Sequence, residues 1–270
     1  MRYVRYTDGQ SKSPCWGYIE EGFIHPARPS WLNADDTSNP NAEKLLLSKA
    51  TLLTPLHPGA RIFCVGLNYG RHIRESGREV PAHPSLFIRS HESFSAPSAP
   101  IILPSISSKF DYEAELAIVI GKQARHIDPT QALHNVAGYT CMAENSVRDF
   151  QKHSTQATAG KNFDNSGSIG PWIVTTDEVP TPDELKVIGR LNNETMQHGS
   201  ISDLIFPIAY LVSYISQFTT LLPGDVIATG TPEGVGATQT PPRFMTSGDT
   251  FEVDIPGIGT LRNTVVKEFA

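Results

Sequence analysis

Phe110-Asp-Tyr-Glu-Ala-Glu-Leu-Ala-Ile-Val-Ile120 is the stretch that decides the fold of this 270-residue chain. The run from Leu116 to Ile120 is too apolar for a solvated strand, so it predicts a buried one. Residues two apart on a strand share a face, which places Glu113 and Glu115 side by side at its start. Like charges that close repel, so either one carboxylate takes up a proton or a cation sits between them.

Paired carboxylates at the end of a buried strand favour a metal site. Hard oxygen ligands select Mg²⁺, Ca²⁺ or Mn²⁺ over zinc. The alternative is a solvated strand end that carries two independent surface acids.

The composition limits the class of protein. The formal net charge is −6 with no basic run, which argues against nucleic acid as the main partner. The three cysteines, Cys15, Cys64 and Cys141, form no CxxC pair, and their odd number excludes a complete disulfide framework. No apolar run has the length of a transmembrane helix, and the N-terminus lacks the apolar core of a signal peptide. We therefore expect a cytoplasmic protein with no membrane partner.

Short strand-like segments alternate with turns along the whole chain, which contains 21 Gly and 21 Pro. The predicted strands outnumber the predicted helices, so the pattern indicates a β-rich mixed α+β fold rather than a regular βαβ array. Pro55 to Gly59 interrupts the pattern and predicts a boundary between a small N-terminal part, residues 1–58, and a larger part, residues 59–270.

His72 and Glu75 follow a predicted buried strand and are three residues apart. On a helix this spacing places them on one face. A histidine held by a carboxylate is suited to act as a general base on water. The alternative is an ordinary surface pair on a helix.

Glu144 follows the predicted strand from Val136 to Met142 and is predicted to open a helix. It is a candidate third ligand beside Glu113 and Glu115, although an acid at this position also stabilises a helix N-terminus. Arg148 and Gln151 are spaced to share its helical face. An arginine beside a metal is suited to bind a substrate carboxylate.

Two loops complete the candidate site. Lys161 lies in a predicted loop of small residues, where a lysine either binds an enolate or keto oxygen or is simply solvated. The run from Thr229 to Gly236 is glycine-rich but matches neither GxGxxG nor GxxxxGK[ST], which excludes a nucleotide-binding loop. Its backbone N–H groups can cradle a small anion, or the segment is only a tight connection.

Taken together, these segments resemble the fumarylacetoacetate hydrolase family, in particular its acylpyruvate hydrolases and 2-hydroxyhepta-2,4-diene-1,7-dioate isomerases. The matching blocks occur in the family's order across roughly residues 60–270: Cys64-Val-Gly-Leu-Asn-Tyr69 with His72 and Glu75, Glu113-Ala-Glu115-Leu, Ser146-Val-Arg-Asp-Phe-Gln151, Gly160-Lys-Asn-Phe163, Gly170-Pro, and Gly224-Asp-Val-Ile-Ala-Thr-Gly-Thr-Pro-Glu-Gly-Val-Gly236.

The resemblance implies a β-roll catalytic domain, residues 59–270, a small N-terminal β domain, residues 1–58, and a homodimer. It also implies Mg²⁺, with Mn²⁺ or Ca²⁺ as substitutes, held by Glu113, Glu115 and Glu144. The family's third ligand is normally Asp, and the extra methylene of Glu144 moves its oxygens outward by roughly 1.5 Å.

The remaining roles are also carried over from the resemblance. His72 and Glu75 match the residues that activate water, and Lys161 matches the lysine that polarises the substrate. Four further positions match the lining of the ligand site: Arg89, which stands where Lys is common, Arg148, Gln151 and Thr231.

The implied reaction is metal-dependent hydrolysis of a C–C bond in a small 1,3-diketo acid, such as an acylpyruvate or fumarylpyruvate from aromatic or sugar-acid catabolism. The metal would act as a Lewis acid, and the His72–Glu75 pair would deprotonate the attacking water. A second hypothesis is a decarboxylase, isomerase or tautomerase of oxaloacetate-type or dienoate-type acids. A third, motivated by Glu144, is a degenerate member that binds keto acids without turnover.

Overall fold

The structure is a computed structural model that describes residues 1–8, 13–32 and 43–268. The predicted N-terminal domain is therefore described except for residues 9–12 and 33–42. Among the described residues, no helix combines the length and the apolar character needed to cross a membrane.

Short strands make up most of the regular structure. In chain order they are β1 (Arg2–Thr7), β2 (Cys15–Glu20), β3 (Phe23–Pro26), β4 (Leu45–Leu46), β5 (Thr51–Leu53), β6 (Ile62–Gly66), β7 (Ser85–Arg89), β8 (Phe94–Ser95), β9 (Ile101–Leu103), β10 (Phe110–Asp111), β11 (Ala114–Ile120), β12 (Val136–Ala143), β13 (Ser146–Val147), β14 (Gly167–Thr175), β15 (Lys186–Leu191), β16 (Glu194–Ser200), β17 (Val226–Ala228), β18 (Thr250–Ile255) and β19 (Gly259–Lys267). The helices are α1 (Gly70–Glu75), α2 (Pro129–Ala132), α3 (Arg148–Gln151), α4 (Thr158–Lys161) and α5 (Ile208–Phe218).

Two sheets carry the fold. The larger has twelve strands, ten of them in the order β4-β3-β2-β1-β14-β12-β11-β17-β6-β7, with β5 on β1 and β8 on β14. The smaller has the order β16-β15-β18-β19-β9, and β10 pairs separately with β13. This arrangement confirms the predicted β-rich mixed fold.

The N-terminal strands continue the main sheet, because β1 pairs with β14 in antiparallel register, Tyr3 opposite Ile173. Among these strands β1 makes the link to the larger part of the chain, and β2 to β5 join it through β1. The boundary between residues 58 and 59 stays a prediction.

The main core lies between the two sheets. Every residue of β11 is buried, as its apolar sequence predicts. Helix α5 completes this core with Ile208, Leu211, Val212 and Ile215. A second cluster on the other side of the main sheet includes Trp16 and Met142.

Strand directions bring the polar ends of four strands to one edge of the main sheet. Strand β11 runs antiparallel to both β12 and β17, and β17 is parallel to β6. The start of β11 therefore lies beside the ends of β12, β17 and β6. Loops that leave the carboxyl ends of strands are where ligand sites form most readily in folded sheets.

Candidate functional site

A cavity of about 750 Å³ opens at this edge of the main sheet. Its walls contain nine of the ten candidate residues: His72, Glu75, Glu113, Glu115, Glu144, Arg148, Gln151, Lys161 and Thr231. Residues up to 159 positions apart in the chain thus line one space. Two further lining residues, Leu67 and Ala157, have left-handed backbone with φ of 56° and 58°, a conformation that is uncommon for residues other than glycine.

Arg89 is the exception, because the structure places it behind Glu144 rather than in the wall of this cavity. Its guanidinium does not line this cavity and has no solvent exposure. Instead it donates to Glu144 Oε1 at 3.0 Å, to the Asn145 carbonyl at 3.2 Å and to Ser166 Oγ at 3.0 Å. Arg89 is therefore a positioning residue that holds Glu144 from behind.

Glu113 lies between two cations. Its Oε1 is 2.8 Å from Arg148 Nη2, and its Oε2 accepts hydrogen bonds from the Lys161 ammonium and from Ser146 Oγ. Burial raises the pKa of this carboxyl, but Arg148 and Lys161 outweigh it and hold the pKa well below its ordinary range. Glu113 is therefore ionised.

Glu115 is the contrasting member of the pair. The only hydrogen bond that its side chain accepts from the described residues comes from the Gly230 N–H, at 2.8 Å. Burial, and then the charge of Glu144, raise the pKa of Glu115 well above its ordinary value. The sequence predicted that repulsion between the two carboxylates is relieved by a cation or by a proton. Here the Lys161 and Arg148 cations contact Glu113, whereas the raised pKa of Glu115 favours its protonated form.

Glu144 follows β12 and precedes β13, so it does not open a helix as predicted. Helix α3 begins only at Arg148, because Ser146 and Val147 are extended and pair with β10. The Glu144 N–H donates to the Glu113 carbonyl at 2.8 Å, which places the two side chains side by side. Burial raises the pKa of Glu144, and Lys161 and Arg89 oppose that shift.

Lys161 ends the short helix α4, in a segment predicted to be loop. Its ammonium is buried and contacts both Glu113 Oε2 and Glu144 Oε2. Burial lowers the pKa of Lys161, but the charges of Glu113 and Glu144 outweigh burial and raise the pKa above its ordinary value. The ammonium therefore stays charged. Gly160 permits this position, because a Cβ there would lie 2.4 Å from the Gln151 backbone nitrogen. We refer to Glu113, Glu115, Glu144, Arg148 and Lys161 as the charge cluster.

The charge cluster supplies carboxylate oxygens, although no three acidic, histidine or cysteine side chains among the described residues are already arranged to hold a metal ion. Its three carboxylates are buried and interact electrostatically, and Glu115 forms no ion pair with a described residue. Such oxygen ligands suit Mg²⁺ or Mn²⁺. Because Lys161 already bridges Glu113 and Glu144, a metal would share those two carboxylates with the ammonium.

His72 and Glu75 form a second group on α1, which we call the dyad. Nδ1 of His72 lies 2.8 Å from Oε1 of Glu75, as the helical spacing predicts. The Glu75 carboxylate also accepts from the Gly234 N–H, at 3.1 and 3.0 Å. Burial raises the pKa of Glu75, but the hydrogen bonds from His72 and Gly234 outweigh it and lower the pKa. The glycine-rich loop therefore anchors the dyad.

Thr231 is fixed by a residue that sequence reasoning missed. Its hydroxyl donates to the Ala114 carbonyl at 3.0 Å and accepts from Gln197 Nε2 at 2.7 Å. Gln197 Oε1 accepts from the Ala114 N–H at 2.9 Å. The only signal in the sequence is a glutamine at a core-facing position of a hairpin strand, which alone does not distinguish this role.

Asp111 was also missed. It accepts from Arg148 Nε at 2.7 Å and from the N–H groups of Gly236 and Ala237 at 2.7 and 2.9 Å. It therefore ties Arg148 to the glycine-rich loop. Its signal was present in the deciding stretch, because Asp111 begins the same alternation that continues with Glu113 and Glu115.

Comparison with known proteins adds an independent line of support. The family model described as fumarylacetoacetate (FAA) hydrolase C-terminal matches residues 61–266 of this chain. That match covers the whole cavity and most of the chain. The chain belongs to the fumarylacetoacetate hydrolase family. The resemblance expected from the sequence is thereby confirmed.

Curated relatives carry names of tautomerases. The mitochondrial oxaloacetate tautomerase of Homo sapiens is 40% identical over 221 residues, which span 81% of this chain and 70% of the relative. A mitochondrial oxaloacetate tautomerase of Xenopus laevis is 36% identical over 288 residues, 98% of this chain and 90% of the relative. These names do not confirm the hydrolase class for this family member.

Solved structures show the same fold over the full length. The 2-hydroxyhepta-2,4-diene-1,7-dioate isomerase of Mycobacterium marinum is 33% identical, with a TM-score of 0.84 over 100% of both chains. The fumarylacetoacetate hydrolase of Exiguobacterium antarcticum is 33% identical, with a TM-score of 0.83 over 99% of this chain and 100% of the other. Isomerases and hydrolases thus share this fold.

Proposed function

We propose that this enzyme interconverts the enol and keto forms of a small 2-keto acid of the oxaloacetate or dienoate type. The similarity to oxaloacetate tautomerases over four fifths of the chain carries the proposal. The geometry supports it, because the cavity combines a group able to move a proton with fixed positive charge. Tautomerisation needs only these two elements, since one proton leaves an oxygen, one arrives at a carbon and no bond between heavy atoms breaks.

The dyad moves the proton. In the tautomer whose Nδ1–H donates a hydrogen bond to the Glu75 carboxylate, Nε2 of His72 has a free lone pair. This nitrogen takes the proton from the hydroxyl on C2 of the enol and returns a proton to C3. Glu75 holds the ring in one tautomer and stabilises the imidazolium formed between the two transfers.

The charge cluster stabilises the enolate. Lys161 and Arg148 both keep their charge, because neighbouring carboxylates raise the pKa of each group. Fixed buried cations stabilise developing negative charge without reorganising. Members of this family commonly use a divalent metal. Here Glu113, Glu115 and Glu144 would hold it, and it would supply further positive charge at the substrate oxygens.

Hydrolysis of a C–C bond is the second candidate. The dyad is equally able to deprotonate a water, and the similar structures include a fumarylacetoacetate hydrolase and, at 27% identity, a maleylpyruvate hydrolase. Decarboxylation would use the same enolate. The products therefore distinguish the reactions, whereas the residues do not.

The test follows the ultraviolet absorbance of the oxaloacetate enol and analyses the products, with acylpyruvates as parallel substrates. We expect faster loss of the enol, no free acid and no CO₂. EDTA should slow the reaction, because it removes the further positive charge that a metal would supply, and Mg²⁺ should restore the rate. Pyruvate and a free acid from an acylpyruvate would establish hydrolysis instead, CO₂ from oxaloacetate would establish decarboxylation, and full activity in EDTA would contradict a metal role.

Assembly and location are also proposals. We infer a homodimer, which light scattering on the purified protein will test. The free cysteines Cys15, Cys64 and Cys141 fit a reducing compartment. Cytoplasmic location stays a prediction, because the names of the relatives place those proteins in mitochondria.

A further inference from the structure

We propose that Arg78 and Lys152 form a subsite for the distal carboxylate of a dicarboxylic 2-keto acid. Both side chains line the cavity, and both are exposed to solvent at its mouth. The inference rests on the proposed function, because it assigns the second carboxylate of the substrate on which that function acts. It makes the enzyme selective for diacids.

The cations inside the cavity are already engaged. Arg148 is paired with Asp111 and Glu113, and Lys161 is paired with Glu113 and Glu144. Each of these cations already contacts two carboxylates of the protein, so a second substrate carboxylate would have to compete with them. A second substrate carboxylate placed beside the charge cluster would face the carboxylates of Glu113, Glu115 and Glu144.

The cations at the mouth are different. Neither Arg78 nor Lys152 has an ion-pair partner among residues 1–8, 13–32 and 43–268. Nearby arginines are not equivalent, because Arg71 pairs with Glu233 at 3.3 Å and Arg74 does not line the cavity. Arg78 and Lys152 are thus the two cationic lining residues that form no ion pair within the part of the chain that the structure describes.

Both cations closely follow helices that carry candidate residues of the same cavity. Arg78 comes just after α1, which carries the dyad, and Lys152 directly follows α3, which carries Arg148 and Gln151. A substrate whose reacting carbons lie between these helices would direct its far end toward both cations. The arginine fork can bind a carboxylate through two hydrogen bonds, and the lysine adds a point charge.

The experiment compares oxaloacetate with its monoester at the distal carboxylate, using the Arg78→Ala/Lys152→Ala variant. Exposed ion pairs contribute modestly, so we expect the KM for the diacid to rise about five- to thirtyfold and the KM for the monoester to stay unchanged. The Arg74→Ala/Lys122→Ala variant removes the same charges away from the cavity and should behave as wild type. Arg78→Lys should recover part of the loss.

Binding is measured separately in the His72→Ala background, where calorimetry reports affinity without turnover. A loss of diacid affinity with unchanged monoester affinity supports the subsite even if wild type proves not to be a tautomerase. Equal changes for both ligands, or no change for either, would overturn the subsite even if tautomerisation is established.

Discussion

The charge cluster and the dyad face the same cavity but are built in opposite ways. In the charge cluster the side chains of Glu113, Glu144 and Lys161 are 4%, 1% and 2% exposed, and each is held by several partners. In the dyad, His72 and Glu75 are 10% and 22% exposed and lie on one short helix. Long-range contacts alone fix the first group, whereas the second combines a local contact within one helix with a single long-range anchor, the Gly234 N–H.

The difference in burial suits the two groups to different tasks: the charge cluster to electrostatic stabilisation and the dyad to proton transfer. A buried set of charges is costly to break, because removing one partner leaves another charge without compensation. It therefore provides a constant electrostatic field. The dyad is partly solvated and needs no buried partner, so its proton can exchange with solvent. We expect changes in the charge cluster to affect stability and activity together, and changes in the dyad to affect activity far more than stability.

Lys161→Met should have the largest effect. The substitution leaves Glu113 and Glu144 facing each other in a buried site, and removing one member of a buried ion pair typically costs about 3–5 kcal/mol. Denaturant unfolding should show that loss, and enol turnover should disappear with it. Wild-type stability in this variant would mean that the charge cluster is solvated, which would contradict the comparison.

His72→Ala should separate activity from stability. Loss of a general acid–base group typically slows the reaction about 10²- to 10⁴-fold. The free energy of unfolding should change far less than in Lys161→Met. Measuring turnover and urea unfolding on both variants compares the dyad with the charge cluster directly. Unchanged turnover in His72→Ala would remove His72 from the mechanism.

Arg89→Lys tests whether Glu144 needs support from behind. Lysine keeps the charge but cannot reach Glu144, the Asn145 carbonyl and Ser166 together, and an unmet buried hydrogen bond costs about 1–3 kcal/mol. Unfolding should show this loss, and calorimetry should show weaker Mg²⁺ binding. The exposed Arg262, 3.2 Å from Glu252, provides the matched control, since Arg262→Lys should change neither quantity.

Glu75→Gln should have the smallest effect on stability, and that effect should depend on pH. The folded state lowers the pKa of Glu75, so its contribution is fully present above the ordinary pKa of a glutamate. It is lost as the pH falls through the lowered, folded-state value. The difference in unfolding free energy between wild type and Glu75→Gln should therefore shrink on acidification, and a difference that grows instead would contradict the anchored carboxylate.

The comparison also explains what the sequence reveals. The dyad can be recognised in the sequence because its contact is local: Glu75 lies three positions after His72, a spacing that places both side chains on one face of a helix. The deciding stretch and the antiparallel strands follow from apolar patterning. The role of Arg89 was not predictable, because it depends on which distant loops pack against it. The alternation in the deciding stretch marks Asp111 as a candidate but does not reveal its contacts with Arg148 and the glycine-rich loop. The extended backbone at Ser146 and Val147, which removes Glu144 from the predicted helix, arises from pairing with β10 and has no local signal.

The most direct test of the central claim is the fate of solvent deuterium. Oxaloacetate and its monoester are incubated in D₂O with wild type and with His72→Ala, and the substrate is followed by proton NMR. The account predicts that wild type exchanges the hydrogens on C3 with no cleavage of the carbon chain, and that His72→Ala does not exceed the uncatalysed exchange. Cleavage products from wild type, or equal exchange by both proteins, would contradict it.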